Sequence, residues 1–218
     1  MQPAEKQTYM MPVIDALKKQ WPENRTINIV CHGHSVPAGY FATPTVDTFN
    51  AYPHLFHVGL KQRYPYAVVN VIVTAIGGEN AEAGAERFER NVLAYRPDAV
   101  MIDYALNDRR IGLARAEAAW KRMISQALDA GCKVILMTPT WDNSVNDEAR
   151  ARDWRELIAH AEQIRRLAGE FGTALCDSFS AFEEYASGGG KAEDLLSWSN
   201  HPNRAGHERV ARKLLEWF

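Results

Sequence analysis

Five short, largely apolar runs rich in β-branched residues recur along the chain, at residues 27–31, 68–74, 99–104, 134–138 and 173–176. Runs of this length and continuity predict strands buried on both faces, as in a parallel sheet covered by helices on either side. The segments between them change period. Leu113, Ala116, Trp120, Met123, Ala127 and Leu128 fall on one stripe of a 3.6-residue helix, which Gly131 would end. Trp154, Leu157, Ile158, Ala161, Ile164, Leu167 and Phe171 repeat that stripe after the acidic start Asn146-Asp147-Glu148. A last helix is expected after Asn203, using Val210, Leu214, Leu215 and Phe218, and weaker helical patterns cover 51–63 and 82–94. Strand and helix alternate, which predicts an α/β fold: a three-layer α/β/α sandwich around a five-stranded parallel sheet. Residues 1–25 read as a helical N-terminal extension, and residues 26–218 as a single domain.

Length and composition narrow this picture. A chain of 218 residues suits one well-buried domain and is short for an eight-stranded barrel. With 46% hydrophobic residues, 24% charged residues and a formal net charge of -2, it has an ordinary globular balance and no polybasic footprint. Nucleic acid and anionic membrane surfaces are therefore not expected as partners. No apolar run approaches the ~20 residues of a membrane span. The first nineteen residues lack the apolar core of a signal peptide, so a cytoplasmic location is expected. Cys31, Cys132 and Cys176 stand far apart, with no C-x-x-C pair, and each falls in or beside a predicted strand. Buried reduced thiols are the expectation. Oligomeric state is not encoded in any of these features.

Open parallel sheets bind ligands beyond the carboxyl ends of their strands. That rule selects segments 32–35, 74–80, 105–110 and 138–143. In the first, "CHGHS", Ser35 follows Gly33, an arrangement that can expose a hydroxyl nucleophile beside a free backbone N–H. The alternatives are a turn-forming serine, or a metal held by His32 and His34, which would point to one side of an extended chain. In the second, Gly77-Gly78 allows backbone N–H groups to approach a developing oxyanion, or simply makes a tight turn. In the third, Asn107 could offer a side-chain donor, while Asp108 is better suited to cap a helix or pair with an arginine. Near the C-terminus "WSNHPN" presents His201, held by Pro202, as a candidate general base. His160 and His207 lie inside predicted helices, where packing is the simpler role.

Taken together, Gly33-His34-Ser35, Gly78, Ala105-Leu106-Asn107-Asp108 and Trp198-x-x-His201 resemble, in order and separation, the four blocks of the SGNH (GDSL-type) hydrolase superfamily. The resemblance spans nearly the whole chain from Ile27. It implies a flavodoxin-like α/β/α fold and a serine esterase without metal or other cofactor. It also implies Ser35 as nucleophile, His201 as base, and an oxyanion hole built from the N–H groups of Ser35 and Gly78 and the Asn107 side chain. Three positions depart from the family pattern. His34 stands for the acid before the serine, and Ala105 stands for a glycine. Trp198 stands where the triad aspartate is expected. An indole has only a donor, so it cannot hold the imidazole Nδ1–H. Either a backbone carbonyl at Trp198 or the carboxylate of Asp194 would orient His201, and the carbonyl is favoured, giving a Ser-His dyad.

The expected substrate is a small-molecule or carbohydrate ester with a short acyl group, acetyl being the leading choice; a thioester or lysophospholipid is the wider field. His34, Tyr40, Phe41, Arg109 and Trp141 are the candidates for lining its site, and Trp198 is a further aromatic at the same end. Two other functions compete with an esterase: a carbohydrate- or partner-binding protein of the same fold that has lost activity, and a metal-dependent hydrolase using His32 and His34.

Overall fold

The computed structural model describes residues 3–218. Five strands, β1 (Thr26–Gly33), β2 (Val68–Val73), β3 (Ala99–Asp103), β4 (Lys133–Met137) and β5 (Ala174–Cys176), form one sheet in the order β2-β1-β3-β4-β5. Every neighbouring pair is parallel. This is the flavodoxin-like order that the family resemblance implied, and it reverses direction at β1, leaving a crevice between the ends of β1 and β3.

The near-continuous apolar runs are explained by side chains alternating between two cores. Ile27, Ile29 and Cys31 of β1, with Met101, Ile135 and Met137, enter one core. Val30, Val100, Ile102, Val134 and Leu136 enter the other. The first core is closed by α1 (Met11–Lys18), α2 (Tyr52–Arg63), α6 (Ser178–Ser187) and α7 (Arg204–Leu215). The second is closed by α3 (Ala81–Glu86) and α4 (Leu113–Asp129). The long α5 (Ala151–Phe171) sends Leu157 and Ala161 to the first core and Ile164, Leu167 and Ala168 to the second. Each fully buried aliphatic side chain contributes on the order of 1.5–3 kcal/mol, so these two layers hold the sheet rigid beneath its rim. Among the described residues no helix is long and apolar enough to cross a membrane. Cys31, Cys132 and Cys176 are buried free thiols, as their position in the strand pattern suggested.

Three departures from the sequence expectation matter. β1 runs on to Gly33, which pairs with Asp103 of β3, so the nucleophile candidate starts two residues beyond the sheet. The helical pattern over 82–94 is broken into α3, the turn Phe88–Asn91 and a 3-10 turn, because Arg87 leaves helical geometry and turns inward to pair with Glu79. β2 is one of the sheet's two edges, and Val68 and Val73 are half exposed rather than covered on both faces.

Candidate active site

Gly33 is confined by contact rather than by its dihedral angles. A Cβ there would lie 2.4 Å from the Asp103 carbonyl oxygen and 2.8 Å from Pro37 Cγ. The chain then leaves the sheet as a single helical turn, Ser35–Ala38, ended by Gly39 in the left-handed region at φ 89°. His34 caps that turn: its Nδ1 accepts the Val36 N–H at 3.2 Å, while its Nε2 faces Asp103 Oδ1 at 3.4 Å. An imidazole thus occupies the place of the missing acid as a buried cap beneath the nucleophile candidate. At 1% exposure it has no surface for substrate, which corrects its expected lining role.

Ser35 and His201, distant in sequence, meet. The Ser35 Oγ lies 2.9 Å from His201 Nε2, and His201 Nδ1 lies 2.7 Å from the Phe41 carbonyl oxygen. A carbonyl can only accept, so Nδ1 carries the proton and Nε2 is left with a lone pair for the serine hydroxyl. Burial holds the His201 pKa below its ordinary value, opposed by the Phe41 carbonyl and reinforced by His34. The ring is therefore neutral near pH 7 and ready to take a proton.

The orienting group is a backbone carbonyl, but not the one expected. Trp198 is 62% exposed, and the carbonyl on His201 Nδ1 is that of Phe41. The Asp194 carboxylate is occupied elsewhere, accepting the Lys191 N–H at 2.9 Å and the Tyr185 hydroxyl at 3.1 Å as the cap of a 3-10 turn. Nothing in sequence could single out Phe41 for this role, since every residue carries a carbonyl. Its loop is fixed by the Phe41 N–H on Thr45 O at 3.0 Å and by the bridge between Tyr40 and Val46.

The three donors implied by the resemblance follow the carboxyl ends of β1, β2 and β3. Neither the Ser35 N–H nor the Gly78 N–H is used in a hydrogen bond among the described residues. Gly78 sits at φ 78° with open space where a Cβ would be, so it needs glycine for its backbone and not for room. Asn107 Nδ2 donates one hydrogen to the Glu79 carbonyl at 2.9 Å, which fixes the amide and leaves its second N–H available. Asp108 plays the capping role anticipated for it, but on another element. It accepts the Ala81 N–H at 2.8 Å and the Trp120 indole N–H at 2.7 Å, and burial pushes its carboxyl up to about 6.

The remaining candidates divide. Tyr40 is partly exposed, with its ring 6.0 Å from that of His201, and it stands at the rim. Phe41 packs its ring against His207 at 5.1 Å and contributes its carbonyl instead. Arg109 is tied to Asp142 at 2.8 Å and to the Leu106 and Asp153 carbonyls, so it is a structural ion pair rather than a substrate contact. Trp141 is buried among Trp154, Phe179 and Phe182 and belongs to the core. His32 fits no metal site. Its Nδ1 meets Thr74 Oγ1 at 2.9 Å, its Nε2 meets the Gly84 carbonyl at 3.2 Å, and burial drives its pKa down to about 4. Among the described residues no three His, Cys, Asp or Glu side chains gather as metal ligands.

The sequence profile described as the GDSL-like Lipase/Acylhydrolase family matches residues 31–209. An acetylxylan esterase from Geobacillus stearothermophilus is 27% identical over 173 residues, covering 72% of this chain and 76% of that protein. The crystal structure of an acetylxylan esterase from the same organism superposes with a TM-score of 0.72 at 23% identity, over 88% of this chain and 93% of that one. An alpha/beta hydrolase enzyme from the metagenome of Lake Arreo, Spain, gives a TM-score of 0.72 at 22% identity, over 88% and 94%. At such identities the structural likeness speaks for the fold.

Proposed function

Because the chain belongs to the GDSL-like lipase/acylhydrolase family and is an ester hydrolase of the SGNH type, we propose that it removes acetyl groups from a carbohydrate, with Ser35 as nucleophile and His201 as its base. The observation that carries this is the 2.9 Å contact between Ser35 Oγ and a His201 Nε2 whose partner nitrogen is locked on a carbonyl. Ser35 Oγ attacks the ester carbonyl carbon while its proton passes to Nε2, and the carbonyl electron pair moves onto oxygen. That oxyanion is received by the Ser35 N–H, the Gly78 N–H and the free hydrogen of the Asn107 amide. Collapse breaks the bond to the sugar oxygen, which leaves with the proton from His201. Water then repeats the sequence on the acetyl-serine, releasing acetate and restoring the hydroxyl.

Two features support a carbohydrate as the alcohol part. The relative named above is an acetylxylan esterase. Trp198, three residues before His201, is exposed in a concavity of about 340 Å³ with Asn143, Glu193, Leu196, Ser197 and Ser199. A half-open indole among hydroxyl and amide groups suits the apolar face and polar edge of a sugar ring. Ser197 of this concavity is tied to the His201 backbone, its N–H and hydroxyl both donating to the His201 carbonyl, at 2.9 and 3.1 Å.

The test is hydrolysis of p-nitrophenyl acetate, of longer p-nitrophenyl esters and of acetylated xylo-oligosaccharides by the wild type and by Ser35→Ala. Wild-type turnover on acetyl substrates should exceed the variant's by at least about 10³-fold. A wild type no faster than Ser35→Ala would instead make this a binding protein of the same fold. A preference for long acyl chains would overturn the acetyl assignment alone.

A further inference from the structure

We propose that Glu79 is a positioning residue for the oxyanion hole: its buried carboxylate grips Arg87 and Tyr104, and its backbone thereby holds the Gly78 N–H and the Asn107 amide in place. The proposal rests on the esterase reading for its kinetics but adds a residue to which that reading assigns nothing.

Glu79 is the residue through which two of the three donors are fixed. Its carbonyl accepts one hydrogen of the Asn107 amide at 2.9 Å, and Gly78 directly precedes it in the chain. The glycine touches little by itself, since it lies in the left-handed region, is exposed, and has open space on the side a Cβ would occupy. Beside it the backbone is held by Glu79 N–H to Ile76 O at 3.3 Å and Ile76 N–H to Gly33 O at 3.0 Å. The side chain of Glu79 supplies the anchor. Arg87 donates to it as a fork, Nε to Oε1 at 2.7 Å and an Nη to Oε2, and the Tyr104 hydroxyl donates to Oε2 at 2.7 Å. Tyr104 and Arg87 are themselves buried and joined at 3.2 Å, and His32 Nε2 closes the cluster 3.1 Å from the Tyr104 hydroxyl. Gly84 of α3 lies so close to the Tyr104 ring that a Cβ would come within 2.4 Å of it. Rim and core are thus locked together through one phenol.

A buried ion pair is a poor stabiliser, because removing both charges from water offsets most of their attraction, and an apolar pair of the same volume often does as well. A bidentate guanidinium–carboxylate fork does fix geometry, in direction as well as distance. Here that geometry is delivered one residue from one proposed oxyanion donor and, through the Glu79 carbonyl, one hydrogen bond from another.

The test compares Glu79→Ala, Glu79→Gln and Tyr104→Phe, with Asn107→Ala alone and combined with Glu79→Ala, on p-nitrophenyl acetate. Folded Glu79→Ala should lose about 10²-fold in kcat with KM changed less than about threefold, since donors aimed at the transition state are displaced and ground-state contacts are not. Glu79→Gln, which keeps an acceptor of the same reach, should recover much of that loss. Because part of the effect of Glu79 runs through the Asn107 amide, adding Glu79→Ala to Asn107→Ala should cost clearly less than Glu79→Ala costs alone, less than about tenfold. A kcat within threefold of wild type in folded Glu79→Ala, or losses that simply multiply, would overturn the proposal. If Glu79→Ala does not fold, Tyr104→Phe carries the same judgement: an expected loss of about tenfold, and a kcat within twofold of wild type as the refuting result. Amide exchange at residues 76–80 separates this proposal from the esterase reading. It should speed up in folded Glu79→Ala, or in Tyr104→Phe where Glu79→Ala does not fold, whether or not the wild type hydrolyses esters, and unchanged exchange would overturn the clamp.

Discussion

Replacing Gly33 by alanine isolates how tightly the proposed nucleophile is placed. The added Cβ would stand 2.4 Å from the Asp103 carbonyl oxygen, 2.8 Å from Pro37 Cγ and 3.1 Å from Asp103 Cβ. Ordinary contact starts at 3.4 Å, so about 1 Å of movement is needed on the Asp103 side and about 0.6 Å on the Pro37 side. Neither side can yield freely. The Asp103 oxygen already accepts the His34 N–H at 3.2 Å, and Pro37 lies in the turn that begins with Ser35. Strain of this kind costs about 1–3 kcal/mol, which in a chain of this size lowers Tm by roughly 3–10 °C. A displacement of about 1 Å at a reacting atom costs on the order of 10²-fold in turnover. Thermal melting and p-nitrophenyl acetate kinetics on Gly33→Ala measure both. A folded variant with kcat within threefold of wild type would refute the placement argued here.

Further expectations concern charge. Asp194→Asn should leave kcat within about threefold, because its carboxylate caps a 3-10 turn, whereas loss of a true triad acid costs about 10⁴-fold; a fall of three orders of magnitude with the fold intact would restore a triad. The acid limb of kcat/KM should have its midpoint below 6.5, because burial favours neutral His201, and a midpoint at or above 6.5 would contradict the neutral dyad. Stability should fall in acid. Burial depresses His32 to about 4 and His207 to about 3, so between those values and 6.5 the unfolded chain binds protons that the fold refuses. Each costs about 2 kcal/mol at pH 5, while Asp108, whose pKa is raised, returns about 1 kcal/mol in the same range. Melting temperature should therefore hold steady above pH 7 and decline toward pH 5; a flat profile over that interval would refute the assignment.

Much of this was legible in sequence, and the limits have physical causes. The strands could be read because burial on two faces leaves little room for polar residues, and β2 was over-read because a chain does not announce which strand lies at the edge. Ser35, Asn107 and His201 could be named as candidates because their side chains carry distinctive chemistry at strand ends. Phe41 was not, because its contribution is a carbonyl, and Glu79 was not, because its partners Arg87 and Tyr104 are brought together only by the fold. Arg109 and Trp141 show the complementary error. Position after a strand locates a loop at the rim, but not the direction of a side chain, and both turn inward. The break at Arg87 inside an apparently helical stretch has the same origin, an inward pairing that local periodicity cannot register.

The missing acid and the built-up oxyanion side belong to one argument. A carboxylate on Nδ1 would stabilise the imidazolium that forms when His201 takes the serine proton, and a neutral carbonyl does so less. In the proposed dyad Phe41 O stands in that place, and the base half of the site is correspondingly weak. Oxyanion donors and substrate contacts alone sustain about 10³–10⁴-fold of catalysis in serine hydrolases stripped of their triads. A site with a weaker base therefore depends more on how accurately its donors are held. In this chain the buried carboxylates near the site are arranged around those donors. Asp103 sits behind His34 and the Ser35 turn, Glu79 grips Arg87 and Tyr104 under Gly78, and Asp108 ties Ala81 to Trp120 beside Asn107. On the proposed reading, negative charge has not been lost from the site so much as placed in its framework, where it fixes the groups proposed to receive the oxyanion instead of steadying the base.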